Sequence, residues 1–388
     1  MLSIFETLGW LSRAQIWMTI FDYDLQRMSW TKRLIIGFLR RLPIFVISGI
    51  SCFELFFIFY GKVPIPDNES VTSETVTLID ITTIKIASLF LTAYFALMQK
   101  SHLQLINEGI NLEAKWTQFF GEKVFQRRIR LRRRYNIEFL LLILYNFTYN
   151  YVFYLNWDYQ QVKSLDLIWY IALSFQTANV DFTAFYMVGF INVFVVSLVK
   201  CYPEKLTPEQ EILFLKFLTD YFKVLKMMNF VFGIVLIGVL VVRLIEASTT
   251  SYFLFIITYD IPYDYMGSMF LFMVCCFLWT SGNIFVMLKI TTVGDYFQEK
   301  VVNIFNRLAS SLEIYEHNNR TLSNCVSFNT KTVLLKNRHE YDLLKIGRFS
   351  KINRKLLFSI LAILASNITI FIQFRQFEFS IAMEGTEE

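Results

Sequence analysis

Seven apolar segments, each long enough to cross a lipid bilayer, constrain the fold of this 388-residue chain more than any other feature. A helix needs roughly 20 apolar residues to cross the hydrocarbon core, and within that core a lone helix satisfies its own backbone hydrogen bonds. Of all residues, 55% are hydrophobic and only 18% are charged. The sequence therefore predicts an all-α, polytopic membrane protein with seven transmembrane helices. The segments lie at about 43–61, 78–98, 136–157, 165–199, 228–248, 268–288 and 356–374.

The distribution of lysine and arginine predicts the orientation of these segments. Most of the 37 basic residues precede segment one, follow segments two and four, or lie between segments six and seven. Because short cytoplasmic loops are enriched in Lys and Arg, we expect a cytoplasmic N-terminus and an extracellular C-terminus. The first outer loop then carries the sequon at Asn68, which is either a glycosylation site or part of a plain polar loop.

This topology divides the chain into three regions. Residues 1–288 hold transmembrane helices one to six with a ligand-binding outer half, and 289–355 form a cytoplasmic helical connection for subunit assembly. Residues 356–388 form a pore-lining last helix and a short extracellular tail. The stretches 207–225 and 295–316 have apolar residues at helical spacing, which is typical of amphipathic helices. They either lie on the membrane surface or pack as a bundle beneath it, and their acidic residues favour the bundle.

The sequence contains none of the common catalytic or nucleotide-binding motifs, such as a P-loop or a zinc-protease motif. We therefore expect no enzymatic activity and no cofactor. His102, His317 and His339 have no companion at ligand spacing, so we expect solvated histidines and no metal site. The basic run RRIRLRRR at 127–134 directly precedes a crossing. This position predicts a topology anchor that contacts lipid head groups rather than a nucleic-acid site.

Charged residues inside apolar segments mark candidate functional positions, because they are costly to bury in lipid. Asp181 lies in the middle of segment four beside polar residues, so we expect it to face a polar interior or a water-filled pocket. Arg243 and Glu246 lie three residues apart at the outer end of segment five. They form either an ion pair at the membrane interface or part of an outward-facing ligand cavity.

Segments three to six are expected to share that ligand pocket. Tyrosines run to the outer end of segment three, where they line a pocket or form the aromatic belt of a membrane interface. Small-molecule pockets combine apolar and aromatic walls with a few polar groups. The candidate ligand-binding residues are Tyr151, Tyr154, Gln176, Asp181, Arg243 and Trp279.

The last segment carries polar residues on one helical face. Ser366, Thr369, Ile370 and Gln373 recur at steps of three and four residues. One interpretation is that the hydroxyls bond to backbone carbonyls one turn earlier while Gln373 extends to the membrane interface. The alternative is that this face looks onto water, with copies of the helix arranged around a symmetry axis to form a pore.

The C-terminal run GRFSKINRKLLFSILAILASNITIFIQF resembles the signature of the insect gustatory receptors. In that signature Gly-x-Phe and Asn-Arg-x-Leu-Leu precede the last crossing, which ends in Thr-Tyr, five apolar residues and Gln-Phe. Ser366 and Asn367 replace the Thr-Tyr pair, and Thr369 interrupts the apolar stretch. The matching residues are Gly347, Phe349, Asn353, Arg354, Leu356, Leu357, Gln373 and Phe374.

This resemblance implies a tetrameric cation channel in the plasma membrane of gustatory receptor neurons, gated by a small-molecule tastant. It assigns Gln373 and Phe374 to the gate region, on the face shared with Ser366, Thr369 and Ile370. The channel is expected to be a homotetramer or a heteromer with related receptors. Two rival functions are a receptor that signals through a partner and a small-molecule transporter.

Overall fold

The computed structural model describes residues 3–25, 28–60, 71–120, 125–156, 163–201, 208–259, 266–318, 345–346 and 350–384. Within these ranges the helices are Ile4–Thr7 (α1), Trp10–Met18 (α2), Trp30–Phe59 (α3), Val71–Phe120 (α4), Phe125–Asn156 (α5), Lys163–Cys201 (α6), Pro208–Tyr259 (α7), Met266–Asn318 (α8) and Arg354–Glu384 (α9). Two short strands of two residues each, Lys345–Ile346 (β1) and Ser350–Lys351 (β2), pair antiparallel, with Lys345 opposite Lys351. The Asn68 sequon lies outside the described residues.

Each of the seven predicted segments lies on one long helix, α3 to α9, so the all-α fold is confirmed. Five of these helices contain, in their described parts, stretches long and apolar enough to cross a membrane: Trp30–Phe59, Val71–Gln118, Asp220–Thr258, Met273–Tyr296 and Arg354–Ile381. Such lengths exceed the roughly 20 residues that a single crossing needs. The chain is a multi-pass membrane protein.

Three helices extend far beyond a bilayer. The helices α4, α7 and α8 contain 50, 52 and 53 residues. At about 1.5 Å per residue each is roughly 75–80 Å long, more than twice the thickness of the hydrocarbon core. The amphipathic stretches 207–225 and 295–316 are therefore continuations of α7 and α8, and not separate helices. Pro208 begins α7, as expected of a residue whose missing N–H has no partner at that position, and no later proline interrupts the helix.

The helix α7 lies at the centre of the bundle, and α3 and α9 lie at its edge. Half of the membrane-length window of α7 is buried, against 11% for α3 and 17% for α9. The surface of α3 carries large apolar residues that suit contact with lipid, including Phe45, Phe53 and Phe56. This arrangement buries α7 between α4 and α8 and leaves most of α9 uncovered in a single chain.

An aromatic cluster packs α4, α6 and α7 together where the predicted segment 78–98 ends. His102 is fully buried there, and its Nε2 lies 3.0 Å from the Tyr186 hydroxyl. Phe95 and Phe232 pack against its ring, with centroids 5.3 and 5.4 Å away. The expectation of a solvated His102 is therefore wrong, because α4 continues through the bundle beyond its apolar segment. The side chains of His317 and His339 lie outside the described residues.

The N-terminal helices pack against α4, α5 and α6. A Ser3–Glu6 capping box begins α1, and the Ile4 N–H donates to Glu113 Oε2 on α4 at 2.9 Å. The Trp10 N–H donates to Asn136 Oδ1 on α5, also at 2.9 Å. Gly9, between the two helices, has φ = +61°, a conformation that favours glycine. Buried apolar residues of α1 and α2 complete this attachment.

Candidate functional site: a buried ion cluster beside the last helix

The centre of the bundle holds a group of buried polar residues that we call the central polar cluster: Asn146, Asp181, Arg243, Glu246 and Asn283. Arg243 on α7 forms ion pairs with Asp181 on α6 and with Glu246 one turn further along α7. Its Nη1 donates to Asn283 Oδ1 on α8 at 3.1 Å, and Asn146 Nδ2 on α5 donates to Asp181 Oδ2 at 3.0 Å. These residues lie on four helices, α5, α6, α7 and α8. Every side chain is at most 2% exposed, so the site is removed from solvent.

The cluster contains more acidic than basic groups. Arg243 faces two carboxylates, those of Asp181 and Glu246. A third carboxylate nearby, that of the partly buried Asp80 on α4, accepts a hydrogen bond from the Thr249 hydroxyl on α7 at 2.5 Å. Buried ions need partners to offset their loss of hydration, so this arrangement depends on each of these contacts.

The structure corrects the interfacial interpretation of Arg243 and Glu246. The predicted pair does form, but both side chains are about 1% exposed and lie inside the bundle. The reason is that Asp181 and Asn283 on neighbouring helices bind the same guanidinium. Asp181, as expected, faces a polar interior.

An aromatic wall adjoins the cluster. The rings of Tyr145 and Tyr149 on α5 stack on Trp279 of α8, with centroids 5.4 and 3.8 Å away. The Arg243 guanidinium carbon lies 5.9 Å from the Trp279 ring centroid, within the range of a cation–π contact. A Cβ on Gly282 would lie 2.1 Å from the Tyr145 hydroxyl oxygen, so only glycine allows Tyr145 this position. Three candidate ligand residues, Asp181, Arg243 and Trp279, are thus brought together.

The other candidate ligand residues lie elsewhere. Gln176 is buried in a second polar group between α3, α4 and α6, where its amide donates to Ser51 Oγ at 2.7 Å. The same amide lies 3.3 Å from Glu54 Oε2, whose carboxylate pairs with Lys85 at 2.5 Å. Tyr151 is 51% exposed at the surface of α5. The Tyr154 side chain lies outside the described residues.

The neutral members of the cluster, Asn146 and Asn283, were not predicted from the sequence. Asn146 and Asn283 are amides in the middle of apolar segments, and neither is among the predicted ligand-binding residues. An asparagine within a membrane helix also needs a partner, so its presence at mid-segment was an available signal. Its partner on another helix could not be identified from one sequence.

Two neighbouring cavities extend from the cluster toward the basic end of the bundle. The larger, of about 460 Å³, lies between α5, α6 and α8, with Tyr145 and Asn283 at one end and Arg134 and Lys289 at the other. The smaller, of about 280 Å³, adjoins it on the basic side. Within the described part of the chain, no group of three or more His, Cys, Asp or Glu side chains could hold a metal ion.

The predicted pore residues lie on the uncovered face of α9. Ser366, Thr369, Ile370, Gln373 and Phe374 are all exposed in the single chain. The opposite face is buried against the bundle through Leu357, Ile360 and Leu364. At 100° per residue, Gln373 points about 180° away from Leu364. The polar face of α9 therefore points away from its own subunit.

The hydroxyls on this face bond to their own helix. Ser366 Oγ donates to the Ala362 carbonyl at 3.0 Å and Thr369 Oγ1 to the Ala365 carbonyl at 2.9 Å. These are the backbone contacts that the first interpretation of the last segment predicts. They leave the amide of the exposed Gln373 as the group best placed to contact water or a neighbouring copy.

The side of α9 behind this face contacts α7 and α4. Asn367, which stands where the gustatory-receptor signature has tyrosine, donates to Ser248 Oγ on α7 at 3.4 Å. Phe371 packs edge-on against Tyr252, with centroids 5.7 Å apart. Glu378, beyond the predicted end of the segment, accepts hydrogen bonds from the backbone N–H and the hydroxyl of Thr72. The helix that carries the predicted pore residues is thereby attached to α7 a few residues from the central polar cluster.

The chain is similar to known proteins in its structure. No protein-family model and no curated protein sequence matches the chain. The structure is similar to that of the insect olfactory receptor OR5 from Machilis hrabei in complex with eugenol, with a TM-score of 0.60 and 12% sequence identity. The match covers 95% of this chain and 99% of that one. A second structure of the same receptor matches with a TM-score of 0.54, the same identity and the same coverage. These similarities confirm the predicted resemblance to insect chemosensory receptors at the level of the fold: the chain has the fold of an insect olfactory receptor.

Proposed function

We propose that this protein is a small-molecule-gated cation channel of the plasma membrane. The observation that carries the proposal is the structural match along 95% of the chain with an insect olfactory receptor solved in complex with the small molecule eugenol. The C-terminal Gln373–Phe374 ending resembles the gustatory rather than the olfactory receptors. Taste is therefore the sense we propose, with the tastant as ligand and gustatory receptor neurons as the site of expression.

The position of α9 supports a pore formed by several copies of the chain. A single helix cannot enclose a conduit, but identical helices around a symmetry axis can. The exposed face with Ser366, Thr369, Ile370, Gln373 and Phe374 points away from its own bundle, as a pore-lining face must. A ring of Gln373 amides among apolar residues suits a constriction that gates cation flow. We propose a homotetramer, or a heteromer with related receptors, held together by the cytoplasmic region 289–355.

We propose that the tastant binds in the outer half of the bundle, next to the central polar cluster. Asp181, Arg243 and Trp279 combine charge, hydrogen bonding and an aromatic wall at one place, which small-molecule sites require. Gln176 lies in the separate polar group with Ser51 and Glu54, and Tyr151 is exposed on α5, so neither is part of this proposed site. Binding there would shift a closed–open equilibrium if the open arrangement of helices binds the tastant more tightly.

Patch-clamp recording tests this function directly. Cells that express the chain and are exposed to a panel of small molecules should show ligand-evoked cation currents with single-channel steps. The variant Gln373→Ala lacks the side-chain amides that are proposed to surround the pore, so its gating or permeation should change. Gln376→Ala is the matched control, because it removes the same amide beyond the predicted segment and should leave the currents unchanged.

Three outcomes would contradict the proposal. Wild-type gating and permeation in Gln373→Ala would remove the assignment of the gate. Saturable uptake without single-channel steps would favour a transporter. A response that requires a second messenger would favour a receptor that signals through a partner.

A further inference from the structure

The larger cavity meets the proposed tastant site at Asp181 and Arg243 and extends from there toward the basic end of the bundle. It extends along α5 from Tyr145 toward Arg134, a distance of about 16 Å at 1.5 Å per residue. On α8 it extends from Gly282 toward Lys289. Both directions lead to the end of the bundle that carries the basic residues, which we expect to be cytoplasmic. Its volume of about 460 Å³ lies in the range of small-molecule pockets.

The walls of this cavity are apolar and partly uncovered. Leu141 on α5 and Phe285 on α8 line it and are 59% and 51% exposed. Since both helices lie in the predicted membrane region, their exposed apolar residues face hydrocarbon rather than water. The gap between α5 and α8 therefore connects the cavity with the interior of the bilayer.

Charged residues lie at the basic end of the cavity. Glu138 pairs with Arg134 and with Lys289, at 3.0 Å in both cases. Lys289 Nζ also lies 4.5 Å from the ring centroid of Phe185 and 5.2 Å from that of Phe285. These contacts lie between the apolar walls of the cavity and the aqueous phase. A lipophilic molecule would therefore enter the cavity most directly from the bilayer.

At the inner end, Asn283 offers an unused hydrogen-bond donor. Its Oδ1 accepts from Arg243 Nη1 at 3.1 Å, and this orientation is fixed because a guanidinium only donates. Its Nδ2 has no hydrogen-bond partner among the described residues, and the side chain is only 2% exposed. A buried donor without an acceptor is unfavourable, and an acceptor on a bound molecule would satisfy it.

We propose that this cavity binds a neutral lipophilic molecule with a hydrogen-bond acceptor, which enters from the bilayer between α5 and α8 and accepts a hydrogen bond from Asn283 Nδ2. Neutrality follows from the surroundings. The charged groups that line the cavity are already in ion pairs, Arg243 with Asp181, and Arg134 and Lys289 with Glu138, so an anion would find no unpaired cation there. A cation would lose its hydration against apolar walls. The site shares Asp181 and Arg243 with the proposed tastant site but extends away from it along α5 and α8, and its occupancy does not require channel activity.

Photolabelling of the purified full-length chain in lipid nanodiscs tests this site. The probe is a trifluoromethyl-phenyl-diazirine with a para hydroxymethyl group, and its para-methyl analogue, which lacks the acceptor, is the matched control. Peptides that cover 134–145 and 282–293 should be labelled several-fold more by the hydroxymethyl probe, relative to peptides from the lipid-exposed α3. An excess of unlabelled benzyl alcohol should remove this difference in the unmodified protein.

Two pairs of variants locate the site. Val286→Trp fills the cavity and should reduce the labelling several-fold, whereas Leu278→Trp adds the same ring at an exposed position of α8 and should not. Asn283→Leu should abolish the preference for the hydroxymethyl probe. Equal labelling by both probes without competition would overturn the proposal, as would unchanged labelling in a folded Val286→Trp. The readout is covalent labelling, so it stands whether or not ligand-evoked currents are found.

Discussion

At the scale of single residues, Arg243 holds the centre of the bundle together. Its guanidinium connects α7 with Asp181 on α6 and Asn283 on α8. Replacing Arg243 with Met should leave two buried carboxylates without a cation, and breaking a buried ion pair in this way costs about 3–5 kcal/mol. Thermal unfolding of the purified protein in detergent should show a clearly lower midpoint than the parent.

The exposed pair Lys115–Asp220 provides the control for this prediction. Its atoms are 2.8 Å apart, but its side chains are 57% and 42% exposed. Lys115→Met should therefore cost at most about 1 kcal/mol. Adding Asp181→Asn and Glu246→Gln to Arg243→Met should restore part of the lost stability. An Arg243→Met protein as stable as the parent would show that the cluster does not support the fold.

The charged residues of this cluster could be predicted from sequence, whereas the partners of its neutral residues could not. Asp181 and Arg243 stand out because ions are rare in apolar segments. Asn283 is an amide inside an apolar segment, which indicates that it needs a partner but not which partner it has. Its role depends on the rotation of α8 relative to α7, which long-range packing determines. The same reasoning explains why Gln176 was assigned to one pocket with Asp181, although it contacts Ser51 and Glu54.

At the scale of elements, α9 should show one water-accessible face and one protected face. In a cysteine-free background, a charged methanethiosulfonate reagent should modify Gln373→Cys rapidly and alter the current of the open channel. Leu364→Cys on the buried face should react slowly or not at all. Equal rates at both positions would contradict the assignment of this face to a pore.

The junction between α1 and α2 gives a second prediction at this scale. Gly9 has φ = +61°, and a Cβ there would lie 2.0 Å from Asn136 Oδ1. Gly9→Ala should therefore strain the backbone by about 1–2 kcal/mol and disturb the hydrogen bond from Trp10 N–H to Asn136. We expect a lower unfolding midpoint in detergent.

A second glycine serves as the control for Gly9→Ala. Gly49 lies inside α3, and no atom lies within 4 Å of an added Cβ. Gly49→Ala should be neutral or stabilising by about 0.5–1 kcal/mol, because alanine loses less entropy in a helix. The expectation would fail if both substitutions had the same effect.

The existence of the elements was predictable from hydropathy, but their lengths were not. The stretch 207–225 has its own helical periodicity and is continuous with segment five, since no helix-breaking residue separates them. A hydropathy window ends where the side chains become polar, whereas a helix ends where the backbone leaves the helical conformation. The last segment shows the same difference, since α9 continues to Glu384.

At the scale of the whole molecule, the charge distribution predicts the orientation in the membrane. An epitope before Met1 should be detected only after permeabilisation, and one after Glu388 should be detected on intact cells. The reason is that the reverse orientation would place most Lys and Arg residues outside. Detection of the N-terminal epitope on intact cells would instead agree with a receptor of the opposite topology.

The seven apolar segments and the resemblance of the C-terminal run to a receptor family could be read from the sequence, but the arrangement of the helices could not. The central position of α7 and the peripheral position of α9 depend on contacts between segments far apart in the chain. Apolar residues facing lipid and apolar residues facing protein are alike in composition, so hydropathy does not distinguish them.

The uninterrupted length of α7 has a mechanical consequence. Arg243 lies 35 residues beyond Pro208, where the helix begins. A rigid-body tilt of about 5° around Arg243 would displace the far end of the helix by roughly 4–5 Å, given its rise of 1.5 Å per residue. A molecule that shifts the helix slightly inside the membrane would thus move its cytoplasmic tip by about the width of a side chain. In the proposed oligomer, such a lever would let a neighbouring copy respond to occupancy without contacting the bound molecule.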